Sequence, residues 1–488
     1  MTHPIWPRRK FLETTGKGLA TLPFMASLPL PAEAQKPRKP TESHEPTGPA
    51  VHLNVRDLGA LGDGKTKDTL ALQQALDRCS VFGGGEVVVP AGDYLTGALL
   101  LHSNTTLRLE DGATLLGSPD IADYPMTQVR WEGRWIKGYG AFLSAQNAEN
   151  VTILGKGNVT ASPAIKGRIR NADGSPFVYS RQPGASNLAR QDIIRNPALM
   201  EFTHCKNLLV QDIVTQGNDM WSIHPVYCEN VTFKNVIIRS GADGIDVDSC
   251  RHVVIDGCQF DTRDDCISLK SGRGMEGNTI AVPCEDVRIS NCTFTDATWA
   301  CIGIGSETSG GIRNVLVEHC KCLGARTHAI YIKSRPGRGA FIENITMNDL
   351  EVSNAKLGFL RLNFLNSGLQ DPYPVPGLDG IPTVRNYTFT NIRVTDVPVL
   401  VTANEIHPDK PLDGLTIRNV TGTCEKGLLL ANMKNVHLSQ IKVTGFTGPL
   451  ISTYKVTGTG LTGAAPLEAP KVSGLIAAPA TPYVLGQK

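Results

Sequence analysis

A chain of 488 residues, 41% hydrophobic and 19% charged, can bury a large core, which excludes a disordered or fibrous protein. A formal net charge of +2 gives neither nucleic acid nor a membrane surface an electrostatic hold, so neither is expected as a partner. The 49 glycines and 31 prolines imply many turns and favour strands over helices.

In chain order, "RRKFL" (Arg8 to Leu12) precedes the weakly apolar run "GLATLPFMASLPL" and the small-residue pattern Ala32-Glu33-Ala34. Paired arginines, an apolar run and a cleavage pattern predict a twin-arginine export signal over residues 1–34, and hence a periplasmic or secreted mature protein. The run is too short for a stable membrane span. Its removal leaves 44 basic and 44 acidic residues. Residues 35–50, "QKPRKPTESHEPTGPA", read as a flexible leader.

"TKDTLALQQALDRC" (Thr66 to Cys79) places Leu70, Leu72, Ala75, Leu76 and Cys79 at helical spacing, predicting a helix that caps the domain that follows. Beyond it lies a repeat. "NLLVQDI" at Asn207, "NVTFKNV" at Asn230, "HVVIDGC" at His252, "DVRISNC" at Asp286, "NVLVEHC" at Asn314 and "NITMNDL" at Asn344 alternate apolar and polar residues. "NYTFTNI" at Asn386, "GLTIRNV" at Gly414 and "NVHLSQI" at Asn435 continue the series. A period of two is the strand signature.

The starts lie mostly 21 to 34 residues apart, with one gap of 42 after Asn344, and no long amphipathic helix falls between them. This predicts an all-β fold over residues 51–464: a right-handed parallel β-helix whose coils stack at about 4.8 Å. A β-propeller would need longer repeats and antiparallel hairpin turns. The tail, residues 465–488, is Ala- and Pro-rich and reads as irregular.

The seventh repeat position holds Ile213, Val236, Cys258, Cys292, Cys320, Leu350, Ile392, Val420 and Ile441, an inward apolar column. Three of the 12 cysteines therefore read as small buried hydrophobes. An exported protein can hold disulfides, but no spacing here identifies pairs, and no CxxC arrangement suggests zinc.

Charge concentrates in "GADGIDVDSC" and "TRDDCISLK", where Asp243, Asp246, Asp248, Asp264 and Asp265 fall within 23 residues. Asp243 follows Asn230 by 13 residues and Asp265 follows His252 by 13, so the two should stack on one face in successive coils, with Asp264 alongside. Repulsion among them should raise the pKa of at least one, giving the acid and base carboxylates that glycoside hydrolysis uses. Asp246 and Asp248 read instead as turn caps or hydrogen-bonded ladder residues. A calcium site, serving a β-eliminating lyase, is the competing use of such carboxylates. It would also need a positioned Arg or Lys base.

The motifs "VRDLGALGDGKTKDT", "WSIHPVYCENVTFKNV" and "RPGRGAFIENI", together with the aspartates, resemble glycoside hydrolase family 28, the polygalacturonase family. The resemblance covers most of the mature chain and implies a right-handed parallel β-helix, an acidic pectic substrate and no metal or other cofactor. Carried over position by position, it makes Asp264 the general acid, with Asp243 and Asp265 holding and deprotonating the attacking water. Three positions depart from the family pattern N-T-D, D-D, G-H-G and R-I-K. Gly241-Ala242 replaces N-T, Trp299 or Ala300 falls at the histidine, and Tyr331 stands at the arginine of "YIK", which keeps Lys333.

These departures resemble the rhamnogalacturonan-cleaving branch, whereas the intact D-D and the insert "SGRGMEGNTIAVPC" resemble exo-acting bacterial members. The expected protein is a monomeric, exo-acting, inverting hydrolase of galacturonic acid bonds in pectin. The alternatives are a rhamnogalacturonan hydrolase or galacturonohydrolase, and a catalytically silent pectin-binding solenoid. Lys270, Lys333 and Arg338 are expected to meet uronate carboxylates, with Arg335 a further groove cation. Trp299 and Tyr331 are expected to stack on sugar faces. His224 reads as structural and Trp221 as core.

Overall fold

The computed structural model describes residues 51–175, 177 and 193–486. The proposed signal and leader lie outside the described residues. The helix α1 spans Thr69–Val81 and buries Ala71, Leu72, Ala75, Leu76 and Cys79. It starts three residues later than its sequence suggests, and Leu70 is turned outward.

Each repeat becomes one coil of a parallel β-helix. Lys206–Gln211, Glu229–Lys234, Arg251–Asp256 and Cys284–Ser290 pair in parallel, with Leu208, Val231, Val253 and Val287 in one column. A second sheet stacks Val214–Gln216, Ile237–Ser240, Gln259–Thr262 and Thr293–Ala297. The third, which carries the site, stacks Met200–Thr203, Ile223–Val226, Ile245–Asp248, Ile267–Lys270, Ile302–Ile304, His328–Lys333 and Gly358–Asn363.

The first residue of most repeats is Asn because of the backbone it must adopt. Asn207, Asn230, Asn314, Asn344 and Asn386 all have φ between 55° and 60°, a left-handed conformation that Asn tolerates better than most residues. Their amides join neighbouring coils, as from Asn344 Nδ2 to Asn314 Oδ1 and from Asn386 Nδ2 to Asn344 Oδ1, both 2.9 Å. All 12 cysteines are buried and free, and eight of the nine seventh-position residues are buried, with Ile441 half-buried.

Three excursions from the coils surround the site sheet. One is an antiparallel hairpin, Met126–Trp131 with Arg134–Tyr139, turning through Glu132 and Gly133, both at positive φ. It joins Ile169–Asn171 and Ile193–Arg195 in a separate four-stranded sheet. A small core of Trp131, Ile169, Met220, Trp221 and Ala242 ties that sheet to the coils. The second, after Lys270, contains the short helix α2, Gly274–Ile280. The third lies between Asn363 and Thr383 and accounts for the long gap in the repeat.

Charge locks the three together. Arg273 bonds Asp371 at 3.1 Å and Glu132 at 3.0 Å, while Arg130 bonds Glu276 at 2.9 Å. The C-terminal tail forms a last short strand at Ala465–Pro466 and then runs back to the third excursion. There Ile476 O accepts the N–H of Gly377 at 2.8 Å, and Tyr483 packs against Tyr373.

Candidate active site

Asp243, Asp264 and Asp265 occupy the turns that lead from the second sheet into the site sheet. The Ser240 hydroxyl donates to Asp243 O at 2.8 Å, and the Thr262 hydroxyl donates to Asp264 O at 2.9 Å, so each turn is pinned by the residue that opens it. Ile245 is in register with Ile267, and Gly244 N donates to Asp265 O at 3.0 Å. Asp243 and Asp265 therefore hold equivalent positions one coil apart, as their spacing predicts. The Ser268 hydroxyl lies 3.3 Å from Asp243 Oδ2 and 3.1 Å from Asp265 Oδ2 and bridges them. Gly303 leaves room for this arrangement, since a Cβ there would come within 2.4 Å of Asp265 Oδ2.

A cation attends each carboxylate. Lys270 Nζ lies 3.1 Å from Asp243 Oδ2, contacts Asp246 Oδ1, and sits 4.4 Å from the centre of the Trp221 ring. Lys333 Nζ lies 2.7 Å from Asp265 Oδ2, whose other oxygen accepts Ala300 N at 3.0 Å. Arg168 Nη2 lies 2.7 Å from Asp264 Oδ2. The Asp264 side chain is 29% exposed against 7% for Asp243 and 5% for Asp265, so Asp264 is the carboxylate most open to an incoming ligand.

These surroundings separate the acids. Burial, followed by the Asp243 charge, pushes Asp264 up to about 6, with Arg168 pulling the other way. Burial also works against Asp243, but Lys270 and then Arg168 hold it down at about 2. Asp246, fully enclosed and beside Asp243, is pushed well above the usual carboxylate range. One group inclined to hold a proton near neutrality thus stands beside one that stays ionised, the division of labour that acid–base catalysis needs.

Several expectations need correction. Asp246 and Asp248 do not cap surface turns. Strand alternation points them outward, but the excursions cover that face, and both are buried, Asp246 on Lys270 and Asp248 on Arg130 at 3.0 Å. Arg338 is not a groove cation. It is fully buried, donating to the carbonyls of Ser306 and Leu369, so it braces the loop from behind.

Tyr331 offers no ring face to a sugar: it is 5% exposed, with Lys333 and Arg361 over its ring and Ser367 and Asn363 at its hydroxyl. Lys270, held between two carboxylates, supports Asp243 and is not placed to reach a substrate.

Trp299, by contrast, is 43% exposed one coil beyond Asp264, whose carbonyl accepts its N–H at 3.4 Å. Arg335 is half-buried and bonds Gly368 O at 2.7 Å. His224 is buried on Glu201 at 3.0 Å, and Trp221 stacks on Trp131. Sequence reading missed Arg168, which lies outside the repeats and in no motif. It also missed Ser268, although alternation from Asp246 and Asp248 pointed to its face.

A parallel β-helix with clustered aspartates at one sheet's entrance defines a polysaccharide-active solenoid. Residues 79–395 match the model of Glycosyl hydrolases family 28, and the chain belongs to that family of polygalacturonase-like glycoside hydrolases.

Among relatives, a probable polygalacturonase of Vitis vinifera is 27% identical over 380 residues, 76% of this chain and 74% of that one. An exo-poly-alpha-D-galacturonosidase of Dickeya chrysanthemi is 28% identical over 405 residues, covering 74% and 65% respectively. The solved exopolygalacturonase of Thermotoga maritima aligns over 81% of this chain and 93% of its own, with 26% identity and a TM-score of 0.63. The family 28 exopolygalacturonase of Yersinia enterocolitica shares the fold at 21% identity, with a TM-score of 0.65 over 86% and 79%.

Proposed function

We propose that this protein is an exported, exo-acting hydrolase that cleaves α-linked galacturonic acid bonds of pectin with inversion. The observation that carries the reading is the arrangement of the three aspartates: Asp264, 29% exposed and pushed up by burial and the Asp243 charge, stands beside the stacked and buried Asp243 and Asp265. Asp264 protonates the leaving glycosidic oxygen. Asp243 and Asp265, stacked and bridged by Ser268, hold a water on the opposite face of the sugar and take its proton as its oxygen bonds to the anomeric carbon.

Lys270 holds Asp243 in its ionised form, and Lys333 fixes the Asp265 carboxylate in place. Because these ammonium groups occupy the carboxylates, the cluster suits proton transfer better than it suits a calcium ion.

Exo action is supported by the exo-acting relatives and by the three interlocked excursions beside the site sheet. A rhamnogalacturonan substrate is the second reading, favoured by the burial of Tyr331 where the family pattern has a groove arginine. Replacing Asp264 tests the assignment. Asp264→Asn should lower kcat on polygalacturonate by about 10²-fold or more while oligogalacturonate binding persists. Undiminished turnover would remove Asp264 from the acid role, and loss of binding with normal folding would make it a ligand-holding residue instead.

A further inference from the structure

Both oxygens of Asp264 are occupied. Oδ1 accepts the N–H of Asp265 at 3.1 Å, and Oδ2 accepts Arg168 at 2.7 Å. A bond from a permanently charged guanidinium favours the ionised form of the carboxylate, so Arg168 works against the proton that burial and the Asp243 charge favour. Asp264 therefore holds a proton more readily once Arg168 has moved off Oδ2.

The backbone that carries Arg168 is firmly held. Asn196 N donates to Arg168 O at 2.9 Å, Gly167 N donates to Asp219 Oδ2 at 2.9 Å, and Ile169 is buried in the small core beside Ala242. The Arg168 side chain is 28% exposed, against 8% for Lys270 and 12% for Lys333. It is thus the cation of the cluster that a ligand meets first.

We propose that Arg168 is a specificity residue that exchanges Asp264 for the carboxylate of the acidic sugar beside the cleaved bond, and that this exchange lets Asp264 take up its proton. The inference rests on the galacturonide reading above. A uronate carboxylate matches the planar fork of the guanidinium and compensates it for the bond it gives up. A neutral sugar cannot do so. In the exchange the ion pair passes from Asp264 to the sugar, and Asp264 gains one proton from solvent.

The groups facing Asp264 are Asp243 and Asp265, which favour its protonated form, and Arg168 and Lys333, which oppose it. Arg263 on the same turn is committed to Asp261 and Asp296 at 3.0 Å each. The departure of Arg168 therefore tips the balance toward the acid. From the bend that enters a separate sheet, Arg168 also takes the place of the groove cation missing at Tyr331.

The test is calorimetric titration of the whole mature protein at pH 7 with galacturonic acid, which is not consumed, and with its methyl ester, in two buffers of different ionisation enthalpy. The wild type should take up about one proton on binding the acid and none on binding the ester. Arg168→Gln should bind the acid about tenfold more weakly and without proton uptake, with Arg168→Lys recovering part of the affinity. The basic limb of kcat/KM should move to higher pH in Arg168→Gln, a shift that a merely structural residue would not cause.

Equal affinity and an unmoved limb in Arg168→Gln would overturn the proposal, as would a wild type that does not bind galacturonic acid. A wild type that binds with proton uptake yet leaves galacturonans intact supports the exchange and sinks the hydrolase reading. Cleavage without proton uptake does the reverse.

Discussion

Asp264 differs from its neighbours by position more than by chemistry. It sits at the mouth of the cluster, beside the buried charge of Asp243, and its raised pKa follows from both. As the proposed acid it works only while protonated, so kcat/KM should fall as pH rises through about 6, where the proton leaves. Asp243, ionised down to about 2, places the opposing acidic limb well below that. A pH profile on polygalacturonate checks the sign: activity that rises above pH 6 would reverse the roles.

At this scale the sequence exposes the three aspartates, because a fixed coil phase makes stacking readable from spacing alone. It hides Arg168, whose approach depends on a sheet with no counterpart in the repeat. It also misplaces Arg338 and Tyr331, because a groove position and a buried one carry the same residue types.

Among the elements, the coils rest on ladders as well as on apolar columns. Asn314 donates to Asp286 Oδ1 at 2.9 Å, accepts from Asn344 at 2.9 Å, and holds a φ of 57°. Asn314→Ala should therefore lower stability by about 1–2 kcal/mol, through left-handed strain and two lost side-chain bonds. The urea midpoint measures this directly, and an unchanged midpoint would show that the exposed ladder contributes nothing.

The strands and their inward faces are legible because alternation survives in every repeat. The hairpin at Met126–Tyr139 is less so, since "MTQVRWEGRWIKGY" lies among irregular sequence and its function is to cover another sheet. That covering explains why Asp246 and Asp248, outward by alternation, end up buried on Lys270 and Arg130.

Across the whole molecule, the coils supply a rigid floor and the excursions decide what reaches it. Glu132, Arg273 and Asp371 come from three separate excursions and meet in one network, so the wall beside the site acts as a unit. The sequence left disulfide pairing open, and the fold closes that question: all 12 cysteines lie buried as free thiols, Cys79 on α1 and the other eleven in the coils. Burial pushes Cys228 and Cys266 well above the usual thiol range, which keeps them unreactive.

The central claim concerns the reaction itself, and the measurement closest to it is proton NMR of polygalacturonate treated with the purified mature protein. The account predicts saturated galacturonic acid or its dimer, released from the first time points, with the β-anomer formed ahead of mutarotation. Unsaturated products, a first-formed α-anomer, or an unaltered polymer would contradict it.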